Sequence, residues 1–236
     1  MRSLLRQIGV TSALLAPVIL GSDAAALNMN FGDVRVRQLS SHGFTANNSE
    51  LSFDSGATDQ LYQMYGYLGT ATGTAAVTTT NFNTSSAIAQ IVPGTAASSL
   101  LLNATGAADL GLAVGSVQID YTFTLVNDTS AADLDGFLWD VTITNLGLVD
   151  LNLVFYQYLD LDLNETATND VASASATRIT VSDGTAPVIF DWRAANGGAA
   201  DHFQVQTYPG LRNQLDGMGA ASDLSDTPAS FGPGDF

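Results

Sequence analysis

The run SVQIDYTFTLV, from Ser116 to Val126, and the run FLWDVTITN, from Phe137 to Asn145, decide the fold. In the first, Val117, Ile119, Tyr121, Phe123 and Leu125 alternate with Gln118, Asp120, Thr122 and Thr124. In the second, Phe137, Trp139, Val141 and Ile143 alternate with Leu138, Asp140, Thr142 and Thr144. Side chains that change character at every residue suit a strand with one dry and one wet face, as in an antiparallel sheet. The connector NDTSAADLDG, rich in turn-forming residues and ending at Gly136, predicts that the two strands are joined locally.

The same rhythm extends outward through LNLVFYQYLDLDL, SASATRITV, PVIFDW and HFQVQTY. Turn chemistry separates these runs at 145–150, 166–170, Asp183-Gly184 and Asn196-Gly197-Gly198. Many short strands so punctuated predict an all-β protein, an antiparallel β-sandwich of jelly-roll-like or Ig-like type. Only GLRNQLDGMG, after Pro209, predicts a short helix, near 210–218. The Thr-, Ala-, Ser- and Gly-rich stretch from Gly69 to Gly106 reads as loosely ordered strands and loops of the same domain.

At the N-terminus Arg2 and Arg6 precede an apolar stretch from Ile8 to Leu20, and Ala24-Ala25-Ala26 follows. This is the layout of a secretory signal peptide spanning 1–26, which leaves a single domain over 27–236 and predicts a secreted or cell-envelope protein. The apolar run is short for a membrane span and is interrupted by Pro17 and Gly21, so no membrane insertion is expected after its removal. Cysteine is absent, which excludes disulfides and thiolate catalysis. Seven arginines stand against 21 aspartates and two glutamates, and lysine is absent, for a formal net charge of −16. A field of that sign repels nucleic acid and anionic lipid surfaces and attracts cations. Aspartate is also a turn former, which accounts for part of the excess.

The candidate sites begin with YLDLDLNET, Tyr158 to Thr166. Asp160, Asp162 and Asn164 alternate with Leu159, Leu161 and Leu163, and oxygen-bearing residues at such spacing resemble the start of a calcium loop. Glu165 stands where an EF-hand needs glycine, and Val171 where it needs a bidentate acid. Two readings stand side by side. Asp160, Asp162 and Asn164, with Asp170 across the turn, hold calcium; or they form the solvated face of a strand running into a polar turn.

Asp54-Ser55-Gly56-Ala57 resembles the catalytic loop of aspartic proteases, which requires a second such loop, and none follows convincingly. His42 and His202 are the only histidines, and both read as structural or exposed. Trp139 shares its face with core residues. Tyr62, Tyr65 and Tyr67, with Trp192, are the aromatics to weigh as a sugar-stacking platform. Five Asn-x-Ser/Thr sequons, at Asn47, Asn83, Asn103, Asn127 and Asn164, mark a polar surface.

Three stretches together, Leu61 to Tyr67, Tyr158 to Thr166 and FGPGDF at 231–236, resemble a group of secreted bacterial β-sandwich proteins of uncharacterised activity. Many members carry a C-terminal PEP-CTERM-type sorting tail. The resemblance implies fold and export only. Members have a tryptophan-rich cluster where this chain has tyrosines and Gly66, and they continue past GPGDF into further strands, so truncation after Phe236 is expected. The reading that follows is a non-enzymatic structural or adhesive protein with an extracellular polysaccharide or matrix partner. A carbohydrate-binding module or carbohydrate-active enzyme is the alternative, and an aspartic protease a distant one.

Overall fold

A computed structural model describes residues 26–45, 50–53, 59–70, 76–127, 135–166, 168–183, 189–193, 199–200, 202–218 and 224–236. The stretch predicted as a signal peptide, apart from Ala26, and residues 54–57 lie outside the described residues. The chain is built of antiparallel strands, as the alternation predicts. β1 (Leu27–Phe31), β2 (Val34–Leu39) and β4 (Glu50–Ser52) form a small sheet in the order β1-β2-β4. β3 (Gly43–Phe44), β5 (Gln63–Thr70), β6 (Ala76–Thr78) and β11 (Leu153–Asp160) form a second, with β5 pairing β3, β6 and β11. β7 (Phe82–Val92), β8 (Thr95–Leu102), β9 (Val117–Val126) and β10 (Gly136–Asn145) form a third, in the order β10-β9-β8-β7. β12 (Asp170–Ser175), β13 (Arg178–Asp183), β14 (Ile189–Arg193) and β15 (Ala229–Gly234) form the fourth, in the order β14-β13-β12-β15.

The third sheet follows directly from the sequence. β9 and β10 pair residue for residue from Val126↔Gly136 to Val117↔Asn145, so their apolar positions fall on one face. Val117, Ile119, Tyr121 and Phe123 are fully buried there, and Phe137, Trp139, Val141 and Ile143 pack beside them. The rings of Phe123 and Trp139 stack with centroids 6.0 Å apart, and Tyr121 meets Trp139 edge-on at 5.2 Å. Contacts from Phe137 to Phe44 (5.5 Å) and from Tyr121 to Phe155 (6.5 Å) join this face to the second sheet, which makes a sandwich.

β5 is the inner strand of the second sheet and is buried on both sides. Met64 and Leu68 enter the sandwich core, whereas Tyr65 and Tyr67 point away from it and pack with Tyr158 and Leu215 in a second cluster. That outer cluster is covered by the short helix α2 (Gly210–Asn213) and the π-type turn after it, Gln214–Met218, as the sequence predicts for 210–218. Tyr67 Oη donates to Asp216 Oδ1 at 2.8 Å, and Arg212 Nε lies 3.5 Å from Asp216 Oδ2, which pins the turn to β5.

Several expectations are corrected. The stretch 69–106 is not loose among its described residues: β7 and β8 make a long hairpin, and Ala96, Ser98, Leu100 and Leu102 face inward. A second helix, α1 (Ala104–Leu110), follows, with Asn103 Oδ1 accepting from Gly106 N at 3.0 Å and Gly111 closing it at φ 67°. SASATRITV is not one strand but the β12–β13 turn, reversing at Ala176-Thr177. HFQVQTY runs without strand pairing.

Gly66 marks a close approach of the two sheets. A Cβ there would lie 2.5 Å from Phe155 Cζ and 2.6 Å from Tyr121 Oη. Gly66→Ala is therefore expected to cost about 1–3 kcal/mol through overpacking. Urea denaturation checks it, and an unchanged midpoint would mean that the two sheets do not close on this residue.

Candidate functional site

The YLDLDLNET segment does not continue as a strand. β11 stops at Asp160, and after Leu161 and Asp162 the chain tightens into a 3₁₀ turn at Leu163–Glu165. Leu161 and Leu163 turn into the core at 4% and 1% exposure. Asp160 is the last residue on the tyrosine side of β11, and it is 2% exposed. The solvated-face reading is thus overturned for Asp160: its side of the strand is roofed by α2 rather than open to water. Asp162 is half-buried, and the side chain of Asn164 lies outside the described residues.

Three more aspartates converge on this end of the fold. Asp170 opens β12, and its ladder partners are Asp183, which closes β13, and Gly234, which precedes Asp235. Directly opposed residues of an antiparallel pair share a face, with Cβ atoms about 4.5–5.5 Å apart. Leu161 N donates to the Phe236 carbonyl at 2.7 Å, bringing the end of β11 against the end of β15. Asp170 is fully buried and Asp183 is 6% exposed. Asp183 Oδ1 accepts from Asn169 Nδ2 at 2.7 Å. Asp170 Oδ2 accepts from Leu163 N at 3.4 Å, while its Oδ1 has no hydrogen-bond partner. Gln63, opposite Asp160 on the same face, is also buried, and its Oε1 has no partner.

The electrostatics follow from burial and crowding. Burial first, then the Asp235 and Asp162 charges, push Asp160 up to about 7, against a smaller pull from Tyr158 and Arg212. Burial likewise pushes Asp170 up to about 6; the Leu163 amide opposes this, and the charges of Asp183, Asp162 and Asp235 add to it. Asp162 and Asp235 are raised too, chiefly by burial. Among the described residues, Asp160, Asp162, Asp170 and Asp235 have no ion-pair partner. Also among them, no three acidic or histidine side chains form a ready-made metal cage. Buried carboxylates without counter-charges can hold protons or take up a hard cation; remaining bare costs several kcal/mol per ion.

A separate pocket of about 250 Å³ opens where β11, β13 and the 200–206 segment meet α2. Phe155, Leu159, Ile179, Val181, Phe203 and Leu215 make it apolar, and Gln157, His202, Gln204 and Gln206 supply polar atoms. His202 is exposed, as expected, although in a non-strand segment, and its Nδ1 lies 2.6 Å from Asp226 Oδ2. His42 is structural, its Nε2 3.1 Å from the Phe82 carbonyl. Tyr65 and Tyr67 are 6% and 0% exposed, so the proposed aromatic platform is overturned. Trp139 packs in the core as predicted, and the side chain of Trp192 lies outside the described residues.

Asp183, Asp235 and Gln63 were not singled out by sequence, because each reaches the cluster through strand pairing rather than proximity along the chain. Asp183-Gly184 reads as a turn and GPGDF as an ending; only the register joins them. With this geometry in view, a scan of protein-family models gives no match, and a search of curated proteins gives no significant relative.

The raised carboxylates set a pH dependence. Asp59 joins them, pushed up to about 6 by burial although Leu51 N and Leu61 N both donate to its Oδ1. Unfolded, these groups titrate near 4, so between about pH 4 and 7 the folded chain binds the extra protons and stability falls as pH rises. In EDTA, Tm is expected to be roughly 4–8 °C lower at about pH 8 than at about pH 5, equivalent to about 2 kcal/mol. Asp160→Asn should shrink that difference. A Tm that is flat or rises over the interval would contradict the burial of these acids.

Proposed function

We propose that this chain is an exported, non-enzymatic structural or adhesive protein of the cell envelope or extracellular space, which meets a polysaccharide or matrix through a broad sheet face. The observation that carries the reading is the outward side of the third sheet. Register stacks Thr144, Gln118, Leu101 and Asn83 in one row across β10, β9, β8 and β7. The next rows are Thr142, Asp120, Ser99 and Ser86, then Asp140, Thr122, Ala97 and Ala89, then Leu138, Thr124, Thr95 and Val92. All of these are partly or fully exposed. Thr95 Oγ1 donates to Thr124 Oγ1 at 3.3 Å, and Ser99 Oγ and Gln118 Nε2 both donate to Asp120.

A flat grid of hydroxyls, amides and two carboxylates offers many weak donors and acceptors to an extended polar polymer, and its water-mediated contacts count nearly as much as direct ones. It encloses no reacting atom. The leader-like N-terminus, the acidic composition and the resemblance to secreted PEP-CTERM-type proteins support export. A carbohydrate-binding module is the second reading, favoured by the pocket in which Gln157, Gln204 and Gln206 stand beside Phe155 and Phe203.

Sedimentation with insoluble cellulose, chitin and agarose tests the proposal. Binding without release of soluble sugar is expected, and Thr122→Arg with Thr142→Arg should weaken it roughly tenfold, about 1.4 kcal/mol, without moving Tm. Binding lost instead in Phe203→Ser would support the pocket. Turnover of any polymer, or retention by none of them, would overturn the adhesive reading.

A further inference from the structure

We propose that the aspartates gathered at the ends of β11, β12, β13 and β15 form a divalent-cation site, suited to calcium, that fastens the last strand of the chain to the body of the fold. This goes beyond the adhesive reading and stands or falls independently of it. Asp170 and Asp183 face one another across the ladder, both buried. Asp162 and Asp235 lie close enough to both Asp160 and Asp170 to disturb their ionisation.

Two further observations point to a ligand rather than a simple excess of acid. Asp170 is wholly buried, yet its Oδ1 meets no donor. Gln63, not an acid, holds a buried and unpartnered Oε1 opposite Asp160. Orphaned buried acceptors are rare in native proteins and ask for a missing donor or ion. A bound cation would satisfy both orphaned oxygens, Asp170 Oδ1 and Gln63 Oε1.

The donor set chooses the ion. It is all oxygen, from carboxylates and an amide, without histidine or cysteine, which selects hard cations over zinc or copper. The donors come from five separate segments, and an ion accepting six to eight oxygens in flexible geometry suits so dispersed a set better than octahedral magnesium. Leu161 N to the Phe236 carbonyl joins the end of β11 to the sheet in which β12 pairs with β13 and β15, and a bound ion would tighten that junction.

The experiment is a melt of the purified protein near neutral pH in EDTA, in millimolar calcium, and in magnesium or sodium at matched ionic strength, with calorimetric titration of calcium. Calcium at a hundredfold excess over its Kd is expected to raise Tm by roughly 5–10 °C, and magnesium to raise it less. Asp170→Asn should abolish the calcium increment while raising Tm in EDTA, because one buried charge is removed. A residue that served only packing would lower Tm in both conditions. Asp235→Asn, nearer the surface, repeats the test should Asp170→Asn not fold. The proposal is overturned by equal Tm in calcium and EDTA, by an equal rise with sodium, or by a calcium increment that survives both substitutions.

Discussion

The antiparallel ladder between β5 and β11 is the constraint on which the molecule depends, because β5 is buried on both faces and each face holds a different interior. On one face Met64, Leu68 and Phe155 close the sandwich against Tyr121 and its neighbours. On the other, Tyr65, Tyr67 and Tyr158 take the roof of α2. A slip of one residue would exchange the two sets, sending Asp160 and the tyrosine hydroxyls into the sandwich core. Gly66 fits the register to the space, since it stands where two aromatic side chains already fill the gap between sheets.

Much of this was legible in the sequence, and the limits have physical causes. β9, β10 and most of β11 announced themselves because large apolar and polar side chains alternate there. β8 alternates just as strictly, but its inward positions include Ala96 and Ser98, too small to make a hydropathy signal. α1 could have been found from the Asn103 cap and Gly111, although its alanine-rich body carries no apolar stripe. The tyrosines of β5 were weighed as a sugar-stacking platform because what covers their face comes from residues some 150 positions later and has no local signature. The same holds for Asp160. One reading of its alternation with leucines was a wet face against a dry one, whereas Asp160 itself is buried.

The acidic composition now divides into two populations. Asp120, Asp140 and their like lie on outward faces, where water meets the cost of their charge. Asp160, Asp170 and Asp183 lie inside, where water cannot meet that cost. A chain with 21 aspartates and no lysine has few internal means of neutralising a buried carboxylate, and Arg212 gives Asp160 only a minor pull. Turn propensity accounts for neither set, since Asp120 and Asp140 stand within β9 and β10 and the buried three at strand ends.

β7 has a further bearing on how copies of this chain behave together. It is the outermost strand of its sheet, eleven residues long, and FNTSSAIAQIV contains no charged side chain. Edge strands of that kind invite docking by a neighbour's backbone, and most proteins deter it with lysine or proline. Here the deterrent is geometric. The pairing of β7 with β8 shifts register between Thr84 and Ser86, between Ser86 and Ala89, and again between Gln90 and Val92. The amides along its rim, one of which, Ile88 N, already donates to Ser41 Oγ at 2.9 Å, therefore fall out of step with a regular strand, a spacing that works against edge-to-edge pairing where the strand itself carries no charge.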